Sequence, residues 1–292
     1  MDTSSLPVCL APDPEPRAIR VKLPANACDA HYHVFGPDDK FPPHPGRHYD
    51  PCPAPVADLR KMHAALGIER GVVIQASCYG NDNGAILDAI ASSNGAYRGT
   101  AVFDPTISDD EIAALHAGGI RGARFHFGWN MGRKVEPATI ADLAKRFPPN
   151  WHVELLLEPE TVLEDGPALV AIPRRLVIDH LAKIDPAEGL DQPALRRLCD
   201  YLRNEDVWVK VSGADRVSNA GAPYADVVAQ ARTIIAANPD RIVWGTDWPH
   251  PGHSVMPNDG DLANTLIEYV ERDAGLLQKI LVDNPTEAFF AD

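Results

Sequence analysis

A chain of 292 residues that is 45% hydrophobic and 23% charged has the composition of a globular protein with a large core, long enough for one α/β barrel or two average domains. Its net charge of −14, spread without long runs, argues against nucleic acid or an anionic membrane as the main partner, because a phosphate backbone demands clustered Lys and Arg. No run approaches the roughly 18 apolar residues of a membrane span, and the start MDTSSLPVCLAPDPEP lacks the basic-then-apolar order of a signal peptide. Five scattered cysteines without a C-x-x-C pair complete the expectation of a reduced, cytoplasmic protein.

Residues 1–25 are rich in proline and read as an N-terminal extension, and residues 26–292 as a single domain. The first apolar run, Ala27–Phe35, leads into GPDDKFPPHPGRHYDPCPAP, which holds too much proline for helix or strand. A helical stretch over Val56–Leu66 precedes a second strand at Arg70–Ala76, and a helix over Asn83–Ser92 precedes a third at Tyr97–Phe103. The alternation continues with Asp109–His116 (helix), Ile120–Phe127 (strand), Pro137–Phe147 (helix), then strands Trp151–Leu157 and Arg174–His180. Helix Gln192–Arg203, strand Val207–Val211, helix Tyr224–Ala237 and strand Arg241–Gly245 finish the series. Near-continuous apolar strands alternating with helices predict parallel βαβ units covered on both faces. Eight of them predict an α/β fold of the (β/α)8 TIM-barrel type. The alternative, an open doubly wound sheet, lacks its glycine-rich G-x-G-x-x-G turn after the first strand.

A barrel of this kind builds its site at the C-terminal ends of the strands, and chemistry-capable residues collect there. Strand 1 carries His31-x-His33, two imidazoles on one face because successive strand residues point to opposite sides. Strand 2 ends in Gln75, Ser77 and Tyr79, and strand 4 in RGARFHF, with Arg124 and His126 on one face. Strand 6 ends in His180, strand 7 carries Lys210 with Arg216 beyond it, and strand 8 ends WGTDWPH, with Asp247 and His250. Each has an ordinary structural reading as a core histidine, a cap, an ion pair or a barrel-interior lysine. His44, His48, His63, His116, His152 and His253 read as surface or packing residues. The coincidence of His31, His33, His180 and Asp247 at the ends of strands 1, 6 and 8 favours a metal-competent site.

With those residues in view, the chain resembles the amidohydrolase superfamily of metal-dependent hydrolases, and within it the 2-pyrone-4,6-dicarboxylate lactonase-like branch, which includes 4-sulfomuconolactone hydrolase-like proteins. The resemblance runs from CDAHYHVFGP through VVIQASCYGNDN, GGIRGARFHF and VIDHLAKID to RIVWGTDWPHP and DNPTEAFF, with DAHYHVFGP and VWGTDWPHP the most specific. It implies that His31, His33, His180 and Asp247 form the catalytic core and hold one divalent metal, Zn²⁺ by ligand preference, although some pyrone lactonases work without a tightly bound one. It implies that Tyr49, Ser77, Arg124 and Arg216 hold the substrate's carboxylates and lactone carbonyl, to which His126 and His250 are added as substrate-binding candidates. Strand 5, HVELLLEP, has no terminal His, so a two-metal centre is not expected. Asn130, Lys183 and Leu156 stand where the branch carries further arginines and a tyrosine, while Arg133 and Lys134 in the following loop supply charge from another direction.

The chemistry implied is hydrolytic opening of an anionic lactone, a small-molecule partner, in aromatic-compound degradation by a monomer or small homo-oligomer. Asp247 is expected to take a proton from the attacking water and return it to the leaving oxygen. The rival readings are a sugar-acid lactone isomerase, a metal-dependent decarboxylase on the same barrel, and an inactive metabolite-binding barrel.

Overall fold

Eight short parallel strands follow one another around a ring in chain order in the computed structural model, which describes residues 6–127 and 135–291. They are β1 (Cys28–Tyr32), β2 (Arg70–Ile74), β3 (Tyr97–Ala101), β4 (Ile120–His126), β5 (His152–Leu156), β6 (Leu176–Ile178), β7 (Val207–Lys210) and β8 (Ile242–Val243). Each pairs in parallel with the next. Main-chain bonds from Ala30 N–H to the Trp244 carbonyl (2.9 Å), from Asp247 N–H to the His31 carbonyl and from His33 N–H to the Trp248 carbonyl (both 2.7 Å) bring β1 back to the β8 end and close the barrel. The predicted helices cover the outside. Val56–Leu66 has the predicted bounds and ends at Gly67, whose φ of 78° provides the left-handed cap that a residue with a Cβ adopts only at a cost. Asp109–Ala117 starts on a capping box in which Ser108 accepts the Glu111 N–H while the Glu111 carboxylate accepts the Ser108 N–H.

Period-2 alternation divides the strands into an outer and an inner face. Val73, Ile178, Val209 and Ile242 pack outward beneath the helices. Val72, Ile74, Val177, Trp208 and Val243 fill the floor of the barrel, joined by Phe289 from the C-terminal segment. One step up the inner face, β5 and β7 carry Glu154 and Lys210, both fully buried, and Asp179 and Arg124 join them. The interior is thus an apolar floor, a charged middle layer, and a mouth.

β1 breaks the alternation. Strict period 2 would put Cys28, Ala30 and Tyr32 on one side and His31 and His33 on the other. The β1–β2 register instead shifts between Asp29 and Tyr32, so Cys28 and Ala30 belong to the inner floor while Tyr32 packs outward. A bulge of this kind re-aims side chains next to a site. It lets the floor keep its apolar residues and still turns His31 and His33 into the mouth.

Candidate active site

His31, His33, His180 and Asp247 converge at the mouth of the barrel. Asp247 Oδ1 lies 3.5 Å from His31 Nε2 and 3.4 Å from His33 Nε2, and its Oδ2 lies 3.8 Å from His180 Nε2. The local backbone is bent to this end. β6 stops at Ile178, two residues before the predicted end, and His180, Leu181, Ala182 and Lys183 follow with φ of 49–55°. Four successive non-glycine residues in the left-handed region cost roughly 1–2 kcal/mol each, a strain held by the surroundings. Gly213 is part of that hold: a Cβ there would stand 2.8 Å from the His180 Cβ.

The donors and acceptors of this cluster are suited to a cation. His33 Nδ1 lies 2.8 Å from the Ile74 carbonyl, which only accepts, so Nδ1 carries a proton and Nε2 is turned toward Asp247 Oδ1. Among the described residues His31 Nε2 and Asp247 Oδ1 are buried without a hydrogen-bond partner. Two ligands each about 2.1 Å from one tetrahedral ion stand about 3.4 Å apart, the separation found here. Two overlapping groups, His31–His33–Asp247 and His31–Asp179–His180, meet the requirements of a metal site among the described residues. Burial keeps the His180 imidazole neutral, pulling its pKa down to about 4, and burial together with Lys210 does the same for His31. Burial pushes the Asp247 carboxyl up, but Arg216 first and then the imidazoles overcome it and hold it well below the usual carboxylate range.

Beneath the mouth lies the charged layer. Lys210 Nζ sits 2.7 Å from Glu154 Oε2, 3.2 Å from Asp179 Oδ1 and 3.0 Å from His31 Nδ1. Arg124 reaches Asp179 Oδ2 through Nη2 (2.8 Å) and Nε (3.0 Å), and Glu154 Oε1 at 3.4 Å. His31 Nδ1 is also 3.3 Å from Asp179 Oδ1. Either tautomer of His31 therefore has a partner at Nδ1, and the one that donates to Asp179 frees Nε2 for a ligand bond. Sequence reading gave Asp179 and Glu154 no role. The available signal was charge inside otherwise apolar strands, VIDH and VELLL, since such residues are seldom fully buried unpaired.

A cavity of about 190 Å³ opens above, lined by His33, Tyr49, Ser77, Arg124, His180, Arg216 and Asp247 along with Leu156, Lys183 and Pro251. Seven of the candidate catalytic and substrate-binding residues thus share one chamber, with His31 buried below it. Arg216 pairs through Nε with Asp247, and among the described residues its terminal nitrogens make long contacts, 3.4 and 3.5 Å, to the Pro251 carbonyl. Tyr49 and Ser77 share the chamber wall, and burial holds the Tyr49 phenol protonated. Lys183 is engaged by Glu158 at 2.7 Å. Arg124 lines the chamber but is bound into the buried ion network. His126 lies in the wall of an adjoining cavity of about 610 Å³, which shares Ser77 and Arg124 with the first.

His250 departs from expectation. It is buried outside the chamber lining, with Nε2 3.1 Å from Asp259 and Nδ1 3.7 Å from Asp215. Its backbone φ is 61°. His63 and His152 are buried histidines with partners, Asp29 for the first and Thr100 for the second. Asn130, Arg133 and Lys134 lie outside the described residues. Among the described residues no helix is long and apolar enough to cross a membrane.

A family model described as Amidohydrolase matches residues 28–291. The chain is 39% identical over 288 residues to a 2-pyrone-4,6-dicarboxylate hydrolase of Comamonas testosteroni, covering 95% of this chain and 94% of that protein. It is 35% identical to a 4-sulfomuconolactone hydrolase of Hydrogenophaga intermedia, covering 97% and 95%. An apo crystal structure of an Agrobacterium tumefaciens protein superposes with a TM-score of 0.84 at 30% identity, covering 94% of this chain and 99% of that one.

Proposed function

The chain belongs to the amidohydrolase family, and on that premise we propose that it is a hydrolase opening the ring of an anionic lactone, 2-pyrone-4,6-dicarboxylate or a muconolactone such as 4-sulfomuconolactone, in aromatic-compound degradation. The observation that carries the reading is the buried convergence of three imidazoles and one carboxylate at the foot and wall of a chamber that Arg216 enters. His31, His33, His180 and Asp247 would hold a divalent metal, Zn²⁺ by ligand preference, which when bound would supply Lewis acidity.

The remaining work falls to the side chains. The terminal nitrogens of Arg216 grip a substrate carboxylate while its Nε keeps hold of Asp247. Tyr49, as a neutral phenol, and Ser77 donate hydrogen bonds to the bound ring. The carbonyl carbon is attacked by water, whose proton passes to Asp247. The ring C–O bond breaks, and Asp247 delivers the proton to the departing oxygen, so one water adds across one ester bond.

The test follows the ultraviolet absorbance of 2-pyrone-4,6-dicarboxylate and of 4-sulfomuconolactone with purified protein, with and without a metal chelator. Ring opening with gain of one water in the product mass is expected, together with loss of activity on chelation. Asp247→Asn should lower kcat by about 10³-fold, within the range of general acid–base catalysis, with the fold intact by circular dichroism. A product of unchanged mass, or one short of CO₂, replaces hydrolysis by isomerisation or decarboxylation, and an active Asn variant removes Asp247 from the mechanism.

A further inference from the structure

We infer that Asp29 is a positioning residue: its carboxylate, inserted between the ends of β1 and β8, fixes the distance between the His31–His33 pair and Asp247. The inference rests on the reading that these three act together, and it assigns a function to a residue outside the chamber.

The junction of β1 and β8 is a ladder with one rung replaced. Below it, Ala30 N–H reaches the Trp244 carbonyl, and above it Asp247 N–H and His33 N–H reach the carbonyls of His31 and Trp248. Between them, at the bulge, stand the N–H groups of His31 and Thr246. Both donate to Asp29 Oδ1 at 3.0 Å. Oδ2 accepts the Thr246 hydroxyl at 2.6 Å and lies 3.2 Å from His63 Nε2 on the outer helix. The Thr246 hydroxyl oxygen in turn accepts the Trp248 N–H at 3.1 Å. A buried N–H must find a partner, and one carboxylate here serves one donor from each strand. Those donors belong to His31 itself and to the residue before Asp247.

Space at the junction is as tight as the bonding. A Cβ at Gly245 would stand 2.4 Å from the His31 nitrogen and 2.8 Å from Asp29 Oδ1, so the strands approach this closely only because residue 245 is glycine. Asp29 is fully buried, and its four contacts come from three separate elements. Without the carboxylate, two buried main-chain donors lose their acceptor and β1 and β8 are free to part. Ligand atoms now about 3.4 Å apart would separate with them, and a misplacement of about 1 Å costs about 10²-fold in rate.

The test uses the full chain and four variants, Asp29→Asn, Asp29→Ala, Thr246→Val and Thr246→Ser, each measured for kcat, KM, zinc affinity by competition with a chromogenic chelator, and Tm. Asp29→Ala is expected to lower kcat about 10²-fold with KM within about twofold, and to weaken zinc binding 10–100-fold, the range for groups that orient metal ligands. Asp29→Asn keeps one acceptor oxygen and should fall between Ala and wild type. Thr246→Val should show a smaller loss of the same kind, and Thr246→Ser, which restores the hydroxyl, should return to within about twofold of wild type. A folded Asp29→Ala chain with normal kcat and zinc affinity overturns the inference. So does a Thr246→Ser chain as impaired as Thr246→Val, which would make bulk packing the cause. Should the Asp29 variants fail to fold, the Thr246 pair decides. Wild-type protein inert toward both lactones strikes at the functional reading, and the zinc-affinity arm, which needs no substrate, still decides the role of Asp29.

Discussion

Replacing His250 by glutamine separates two roles for a histidine three residues beyond Asp247. In the structure His250 is enclosed between Asp259 and Asp215. Burial disfavours its charged form, but the charge of Asp259 and a bond to Asp215 overcome that and push its pKa up to about 10 from 6.5. A group whose pKa rises on folding stabilises the fold fully below pH 6.5, and that contribution disappears as pH climbs through 10. The 3.5-unit difference corresponds to about 5 kcal/mol at 1.36 kcal/mol per unit, lost at about 1.4 kcal/mol per pH unit in between. For a chain of 292 residues, an unfolding entropy of about 0.6 kcal/mol/K makes this about 2 °C in Tm per pH unit. Scanning calorimetry of wild type and His250→Gln from pH 6 to pH 10 should show the variant about 8 °C less stable at pH 6 and the gap closing toward pH 10. Parallel curves would refute the assignment of a buried cation. A variant with undiminished Tm but a raised KM would return His250 to the substrate.

The middle layer and the strained turn make two further predictions. Lys210→Met leaves Arg124 as the one cation against Glu154 and Asp179, so a loss of about 3–5 kcal/mol is expected in urea denaturation. Part of it should be recovered in the Lys210→Met/Glu154→Gln double variant, where one of the stranded charges is gone. Gly213→Ala places a Cβ against His180 at a φ of 74°. A destabilisation of about 1–3 kcal/mol should accompany a roughly 10²-fold fall in kcat, read by thermal melts and by initial rates.

The barrel was legible because its signal is local and repeated: apolar runs of strand length separated by amphipathic stretches, with helix bounds that hold to within a few residues except at Tyr224–Ala237, where the regular helix begins at Val228. The mouth was legible for a related reason, since H-x-H, His180 and Asp247 each lie at or just beyond a strand end, and the ends of barrel strands meet in one place whatever the details of packing. The parts that were not legible depend on contacts across the ring. Glu154 on β5, Asp179 after β6 and Lys210 on β7 stand on neighbouring or nearby strands at one height, so each is the reason the others can be buried. In the linear sequence each is a lone charge in an apolar strand. The left-handed run at His180–Lys183 is hidden in the same way, because HLAK has no glycine to announce it and the conformation is held by neighbours such as Gly213, more than thirty residues on. His250 is the converse case, outside the chamber lining. Its nearness to Asp247 in sequence suggested a shared cavity, but a residue after a strand end has two directions open to it, and the buried carboxylates of Asp215 and Asp259 decide which one it takes. Positive φ alone does not decide this, since His180 and Asp247 also have it and still line the chamber; the buried partners waiting on either side do.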